Sequence, residues 1–133
     1  KLAYARDGAE EYLSRLKAWA AVEWRAVKAS TPEREGAALL AAGAGLHLVA
    51  LDERGRECTS AEFAERAKRW AERGGAAFLV GGADGHAPSV RERAGECIQV
   101  SRFTLQHELA LVVLLEQLYR AHQIWRGSPY HRA

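Results

Sequence analysis

Glutamate, tyrosine and arginine stand together in Glu116-Gln-Leu-Tyr-Arg120, and near the end of the chain comes Tyr130-His-Arg132. Groups of these types can hold an anion, stack on a base and move a proton. Arg120, Arg126, His131 and Arg132 would surround an anionic substrate, and an aromatic-histidine-arginine tail suits a nucleobase and its phosphate. His131 is the tail residue whose ordinary pKa, near ~6.5, suits proton transfer. An internal ion pair or a subunit contact would use Glu116 and Arg120 equally well.

Two further segments could hold a ligand by backbone. Phe78-Leu-Val-Gly-Gly-Ala-Asp-Gly85 runs an apolar strand straight into glycines, which lets a ligand approach N–H groups closely. It lacks the G-x-G-x-x-G spacing and the later acidic residue of a dinucleotide fingerprint. Ile98-Gln-Val-Ser-Arg-Phe-Thr-Leu105 is again a strand end followed by small polar residues. In open parallel sheets ligands sit outside the carboxyl ends of strands. Leu51, Gly81 and Val100 fall at such ends, which makes a cofactor crevice there. The alternatives are a tight packing turn at the glycines and a plain helix cap by Ser101 or Thr104.

Positioning these residues requires an alternation of helices and short apolar strands. The spacing predicts a helix from Asp7 to about Ala20, with Ala9, Tyr12, Leu13, Leu16 and Ala20 on one face. Val22–Lys28 alternates apolar and polar residues and is predicted as a strand. Thr31-Pro32 opens a second helix that ends near Gly43 and Gly45. Leu46–Leu51 is a buried-type strand closed by the turn Asp52-Glu53-Arg54-Gly55. Thr59-x-x-Glu62 is a capping box for a helix stopped at Gly74-Gly75. Ala76–Val80, a short helix at Ser89–Ala94, the strand Cys97–Val100 and a long helix to about Trp125 complete the order. The first half of that last helix is apolar nearly all round and should be buried. The pattern is an α/β fold, a mostly parallel sheet with helices on both faces, in one domain over residues 1–133.

Composition narrows the function classes. The longest apolar run, Leu109–Leu115, is far short of the ~20 residues a membrane-spanning helix needs. Cys58 and Cys97 lack paired spacing and the five histidines lack a metal-ligand pattern, so neither metal nor disulfide is expected. A cytoplasmic, metal-free protein is the reading. The net charge is only +2. Residues 1–100 carry 15 basic and 15 acidic side chains, so the whole excess lies in residues 101–133, where Arg102, Arg120, Arg126 and Arg132 face Glu108 and Glu116.

Taken in order, six blocks resemble one family. Leu46-His-Leu-Val-Ala-Leu-Asp52 with Gly55, Thr59-Ser-Ala-Glu-Phe-Ala64 and Phe78–Gly85 are similar to its successive motifs. So are Val100-Ser-Arg-Phe-Thr-Leu-Gln-His107, Leu115–Ala121 and Pro129-Tyr-His-Arg132, with Tyr4–Leu13 fitting ahead of them. The family is the ribosomal RNA large subunit methyltransferase H family, of the SPOUT superfamily. The resemblance implies a C-terminal trefoil knot and a homodimer that binds S-adenosylmethionine. It implies methylation of N3 of a pseudouridine in helix 69 of 23S rRNA, on the assembled ribosome. Cofactor contacts would fall on Leu51, Gly81, Gly82, Val100, Ser101, Arg102, Phe103, Thr104 and Leu105. On the substrate side, His131 would remove the N3 proton, Tyr130 would stack on the base, and Arg120 and Arg132 would hold phosphate or the imide anion. A SPOUT enzyme acting on tRNA and a non-catalytic ribosome-associated module are the rival readings. The chain departs from the family pattern in four ways. Gln106 replaces a frequent Pro, and Leu111 stands where relatives often carry Arg. The stretch from Lys28 to Thr31 is short, and the family's opening strand is expected ahead of Lys1, in keeping with a chain that holds no Met.

Overall fold

The computed structural model describes residues 2–132. Three parallel strands, β1 (His47–Arg56), β2 (Ala76–Val80) and β3 (Glu96–Ile98), form one sheet in the order β2-β1-β3. Five helices surround it: α1 (Ala3–Leu16), α2 (Pro32–Ala42), α3 (Ser60–Glu72), α4 (Pro88–Arg93) and α5 (His107–Trp125).

The period-2 alternation of strand side chains sorts the core into two faces. Val49, Leu51 and Ile98 point with Phe78 and Val80 toward α3 and α5, where Phe63, Ala67, Trp70 and Leu114 meet them. Ala50 and Leu79, with Leu48, Ala77 and Cys97, point the other way onto Leu39, Leu40 and Val90 of α2 and α4. Helices therefore cover both faces, and the interior of β1 is apolar throughout for that reason. A third cluster lies between helices alone. Ala9, Tyr12, Leu13 and Leu16 of α1 pack against Leu111, Val112, Leu115, Leu118 and Tyr119 of α5.

Local chemistry sets most helix ends. Thr31 Oγ1 accepts from Arg34 N–H at 3.2 Å, with Pro32 following it in the first turn. Thr59 and Glu62 form the reciprocal capping box, at 3.1 and 2.8 Å. The start of α5 is capped by Gln106, whose Oε1 accepts from Glu108 N–H at 2.8 Å and Leu109 N–H at 3.0 Å. Neither Ser101 nor Thr104 caps it. Ser101 Oγ accepts instead from Phe103 N–H within its own loop.

Other expectations require correction. Val22–Lys28 is not a strand, because residues 20–31 hold no regular structure. Alternation makes a strand only where a neighbour satisfies the backbone. Among the described residues none pairs with this stretch, and Val22 and Trp24 stay 40% and 47% exposed. The first helix begins at Ala3 and ends at Leu16, earlier than expected at both ends. β3 is shorter than predicted, and β1 runs on through the expected turn to Arg56. The first half of α5 is half-buried rather than enclosed, with only Leu114 and Leu115 fully inside.

Candidate functional site

Because the strands are parallel and Leu51 is level with both Val80 and Ile98, their carboxyl ends lie side by side at one edge of the sheet. The expected cofactor residues are brought together there: Leu51 ends the buried part of β1, Gly81 and Gly82 follow β2, and Val100–Leu105 follow β3.

Past Leu51, β1 buckles outward and returns, so that Arg56 also pairs with Ile98. Gly55 makes the bend possible. A Cβ there would stand 2.5 Å from the carbonyl carbon of Ile98, which is backbone and cannot give way. Gln99 clamps the buckle by donating through Nε2 to the carbonyls of Glu53 at 2.8 Å and Gly55 at 3.3 Å. Its Oε1 is buried and receives no hydrogen bond among the described residues.

The glycine loop is closed on itself by Gly85 N–H to the Gly82 carbonyl at 3.0 Å. Glu35 of α2 leans on it. A Cβ at position 82 would stand 2.8 Å from Glu35 Oε1, while Oε2 accepts from Ser30 N–H at 2.9 Å. Below the loop, His86 Nε2 donates to the Leu79 carbonyl and Arg91 Nη1 to the His86 carbonyl, both at 3.0 Å. The same guanidinium lies 3.5 Å from the largely buried Asp52 carboxylate. The 101–105 loop is more open. Arg102 meets Glu57 at 3.4 Å with both side chains exposed, and Phe103 is 84% exposed.

The tail residues assemble elsewhere, on α5 and α1. Glu116 and Arg120 are one helical turn apart and pair at 2.7 and 3.4 Å. The Tyr130 hydroxyl donates to Glu116 Oε2 at 2.8 Å, and Gln117 Nε2 donates to Oε1 at 2.8 Å. Arg120 Cζ lies over the Tyr130 ring at 4.8 Å, and that ring meets Tyr119 edge-on at 4.9 Å. Arg120 Nη1 also reaches His131 Nδ1 at 3.0 Å. The turn between helix and tail is held by Gln123, which accepts from Ser128 Oγ at 2.8 Å and Arg126 Nη1 at 3.2 Å. Arg132 is exposed.

Protonation follows from this packing. Burial pushes the Tyr130 phenol upward and its bond to Glu116 adds to that, so it remains a donor. Burial alone would raise Glu116, yet hydrogen bonds from Arg120 and Tyr130 outweigh it and hold the carboxyl below the usual range. The hydrogen bond to Glu116 keeps Arg120 charged.

Among the described residues no hydrogen bond or ion pair joins the tail cluster to the strand-end loops. The candidate residues thus fall into two groups, one at the strand ends and one on α5 and the tail. Residue types alone did not point to Glu35, Arg91 and Gln99, which enter through contacts distant in sequence. Asp52 carried one usable signal, its place directly after a buried strand. No group of three or more His, Cys, Asp or Glu among the described residues could hold a metal.

An α/β chain with helices on both faces and glycines directly after a parallel strand has the layout in which parallel-sheet proteins bind ligands at their strand ends. Residues 1–131 match the family model described as "Predicted SPOUT methyltransferase". The chain is 48% identical over 132 residues to a ribosomal RNA large subunit methyltransferase H of Thermus thermophilus, covering 99% of this chain and 91% of that one. The protein of that name from Deinococcus radiodurans is 40% identical over 99% of this chain and 92% of its own. A counterpart in Anaeromyxobacter dehalogenans is 53% identical over 100 residues, 74% of this chain but only 65% of the relative. The chain belongs to the SPOUT methyltransferases and, within them, to the ribosomal RNA large subunit methyltransferase H family.

Proposed function

We propose that this chain is an S-adenosylmethionine-dependent methyltransferase that modifies N3 of a pseudouridine in helix 69 of 23S rRNA on the assembled ribosome. It acts as a cytoplasmic homodimer whose C-terminal segment is threaded as a trefoil knot. The observation that carries the reading is the alignment of Leu51, Gly81 and Val100–Leu105 at one sheet edge, in a chain of this family.

Gly81 and Gly82 are required by the loop's own close packing, since a Cβ at 81 would meet the Gly85 backbone at 3.0 Å and one at 82 would meet Glu35 at 2.8 Å. One polar group there suits a cofactor. Gln99 keeps a buried acceptor without a donor, among the described residues, close to the same strand ends. Leu51, Gly81, Gly82 and the 100–105 loop would hold the cofactor, and Glu35 and Asp52 supply carboxylates that suit its net positive charge. When bound, the cofactor supplies an electrophilic methyl group on a sulfonium.

Transfer to nitrogen is an in-line displacement, so alignment of the two reactants supplies most of the catalysis. Tyr130, His131, Arg120 and Arg132 form the substrate side. Arg132 is exposed and can meet phosphate, and Tyr130 is the ring against which a base would stack. Because the tail cluster shares no bond with the crevice of its own chain among the described residues, a two-fold dimer that brings one copy's tail beside the other's crevice would complete the site. The half-buried Leu109, Ala110 and Val113 on α5 offer apolar surface for that contact.

The decisive experiment incubates the protein with labelled S-adenosylmethionine and either ribosomes or free rRNA, then maps the methylated nucleotide by mass spectrometry. Label on a helix 69 pseudouridine of intact ribosomes is expected. Label on tRNA alone, or cofactor binding absent by calorimetry, would overturn the reading.

A further inference from the structure

The bond between Arg120 and His131 fixes more than position. A guanidinium offers five N–H donors and no acceptor, and it does not lose its proton in proteins. At 3.0 Å from Arg120 Nη1, His131 Nδ1 therefore contributes its lone pair. In the neutral ring the single proton then sits on Nε2, and no lone pair is left to receive another.

The surrounding groups hold this arrangement. On α5, Glu116 anchors Arg120 at 2.7 and 3.4 Å and is itself saturated by Tyr130 and Gln117. From α1 come Tyr12 and Arg15, with Arg15 Cζ 5.5 Å from the Tyr119 ring centre. The tail adds Tyr130 and Arg132. The carboxylate of the cluster, Glu116, is bound to Arg120 and not to the imidazole. Among the described residues no carboxylate pairs with His131.

We propose that His131 serves methyl transfer as a hydrogen-bond donor, through Nε2–H, to a carbonyl oxygen of the target base, with Arg120 as the positioning residue that fixes this tautomer. The inference rests on the function proposed above. N3 forms its bond to the methyl carbon while the carbon–sulfur bond breaks and its electron pair stays on sulfur. The N3 proton passes to solvent water or hydroxide. Negative charge that builds on the adjacent carbonyl oxygens as this proton leaves is met by Nε2–H, in the manner of an oxyanion donor. The proton-acceptor role expected from residue type does not fit a ring whose lone pair is already engaged.

Two measurements test it. Long-range nitrogen–proton correlation NMR of the free protein should find His131 as the Nε2–H tautomer, and Arg120→Met should let the other tautomer appear. A His131 Nδ1–H tautomer in the wild type would overturn the proposal whatever the enzyme does. In the ribosome assay, His131→Ala should lose about 10²-fold in kcat, whereas His131→Gln, which restores an N–H donor but cannot act as a base, should stay within about tenfold of wild type. The kcat–pH profile of His131→Gln should keep the wild-type shape. If His131→Gln is as impaired as His131→Ala while both melt and bind S-adenosylmethionine like the wild type, the donor role is wrong. A wild type that methylates no rRNA sinks the proposed function instead and leaves the tautomer to be judged by NMR.

Discussion

Two carboxylates, Glu116 and Glu96, carry the densest polar contacts among the described residues, and both sit below the usual carboxylate range. Glu96 lies at the amino end of β3, where His47 and Trp70 reach Oε2 at 2.8 and 2.7 Å and Arg66 reaches Oε1 at 3.0 Å. Burial would raise it, and the hydrogen bonds from His47 and Trp70 reverse the sign. A carboxyl whose folded pKa is depressed binds fewer protons folded than unfolded in acid. Its stabilisation is complete above the unfolded value of about 4.3 and is lost as pH falls below it. Urea midpoints should therefore drop steadily from pH 5 toward pH 3. Glu96→Gln should cost about 1–3 kcal/mol at neutral pH and flatten that acid slope, because its charge-assisted bonds are gone; an unchanged slope would mean that Glu96 does not titrate as the packing implies. At this scale the sequence was readable where partners are near in the chain. Glu116 and Arg120 are four apart on a helix, and the pairing follows. Glu96 with His47, Arg66 and Trp70 was not readable, since no spacing rule connects three separate elements.

The elements divide along the same line between local and distant causes. Thr31-Pro32 and Thr59-x-x-Glu62 announce helix starts because a cap is a contact between residues three apart. The buried strands are legible as short apolar runs. Val22–Lys28 misleads because a strand is completed by its neighbour, and alternation cannot say whether one exists. The cap of α5 misleads for a chemical reason. Ser101 and Thr104 are the residue types that usually cap, yet a glutamine amide oxygen at position 106 reaches two N–H groups. That cap sits between the proposed cofactor loop and the helix bearing Glu116 and Arg120, so its loss should be felt on both sides. Gln106→Ala is expected to cost about 0.5–2 kcal/mol in chemical denaturation, and S-adenosylmethionine affinity by calorimetry should weaken with it. A variant as stable as wild type would show that α5 is held by its packing on α1 and α3 alone.

For the whole molecule the question is how so small a charge would serve the RNA methylation proposed above. The chain carries +2, a dimer twice that, +4, and the excess lies entirely beyond residue 100. The fold spends part of it internally: Arg120 is committed to Glu116 and His131, Arg126 lies over Trp19 at 4.5 Å, and Arg102 is paired with Glu57. Of the four arginines beyond residue 100, Arg132 is the one with no such engagement among the described residues. Affinity built on counterion release scales with the number of phosphates neutralised, with a slope of about −0.7 to −0.9 per contact in log K against log salt. The proposed dimer, presenting few free arginines, would then recognise a folded surface by shape, with phosphates only setting orientation. Ribosome binding measured between about 50 and 200 mM salt should accordingly give a slope no steeper than about −3, and Arg132→Ala should flatten it by about 1 per copy that meets phosphate. A slope near about −6 or beyond, or one that Arg132→Ala leaves untouched, would mean that the basic residues of the first hundred positions carry the contact. The balanced charge of that part of the chain would then be hiding the RNA-binding face.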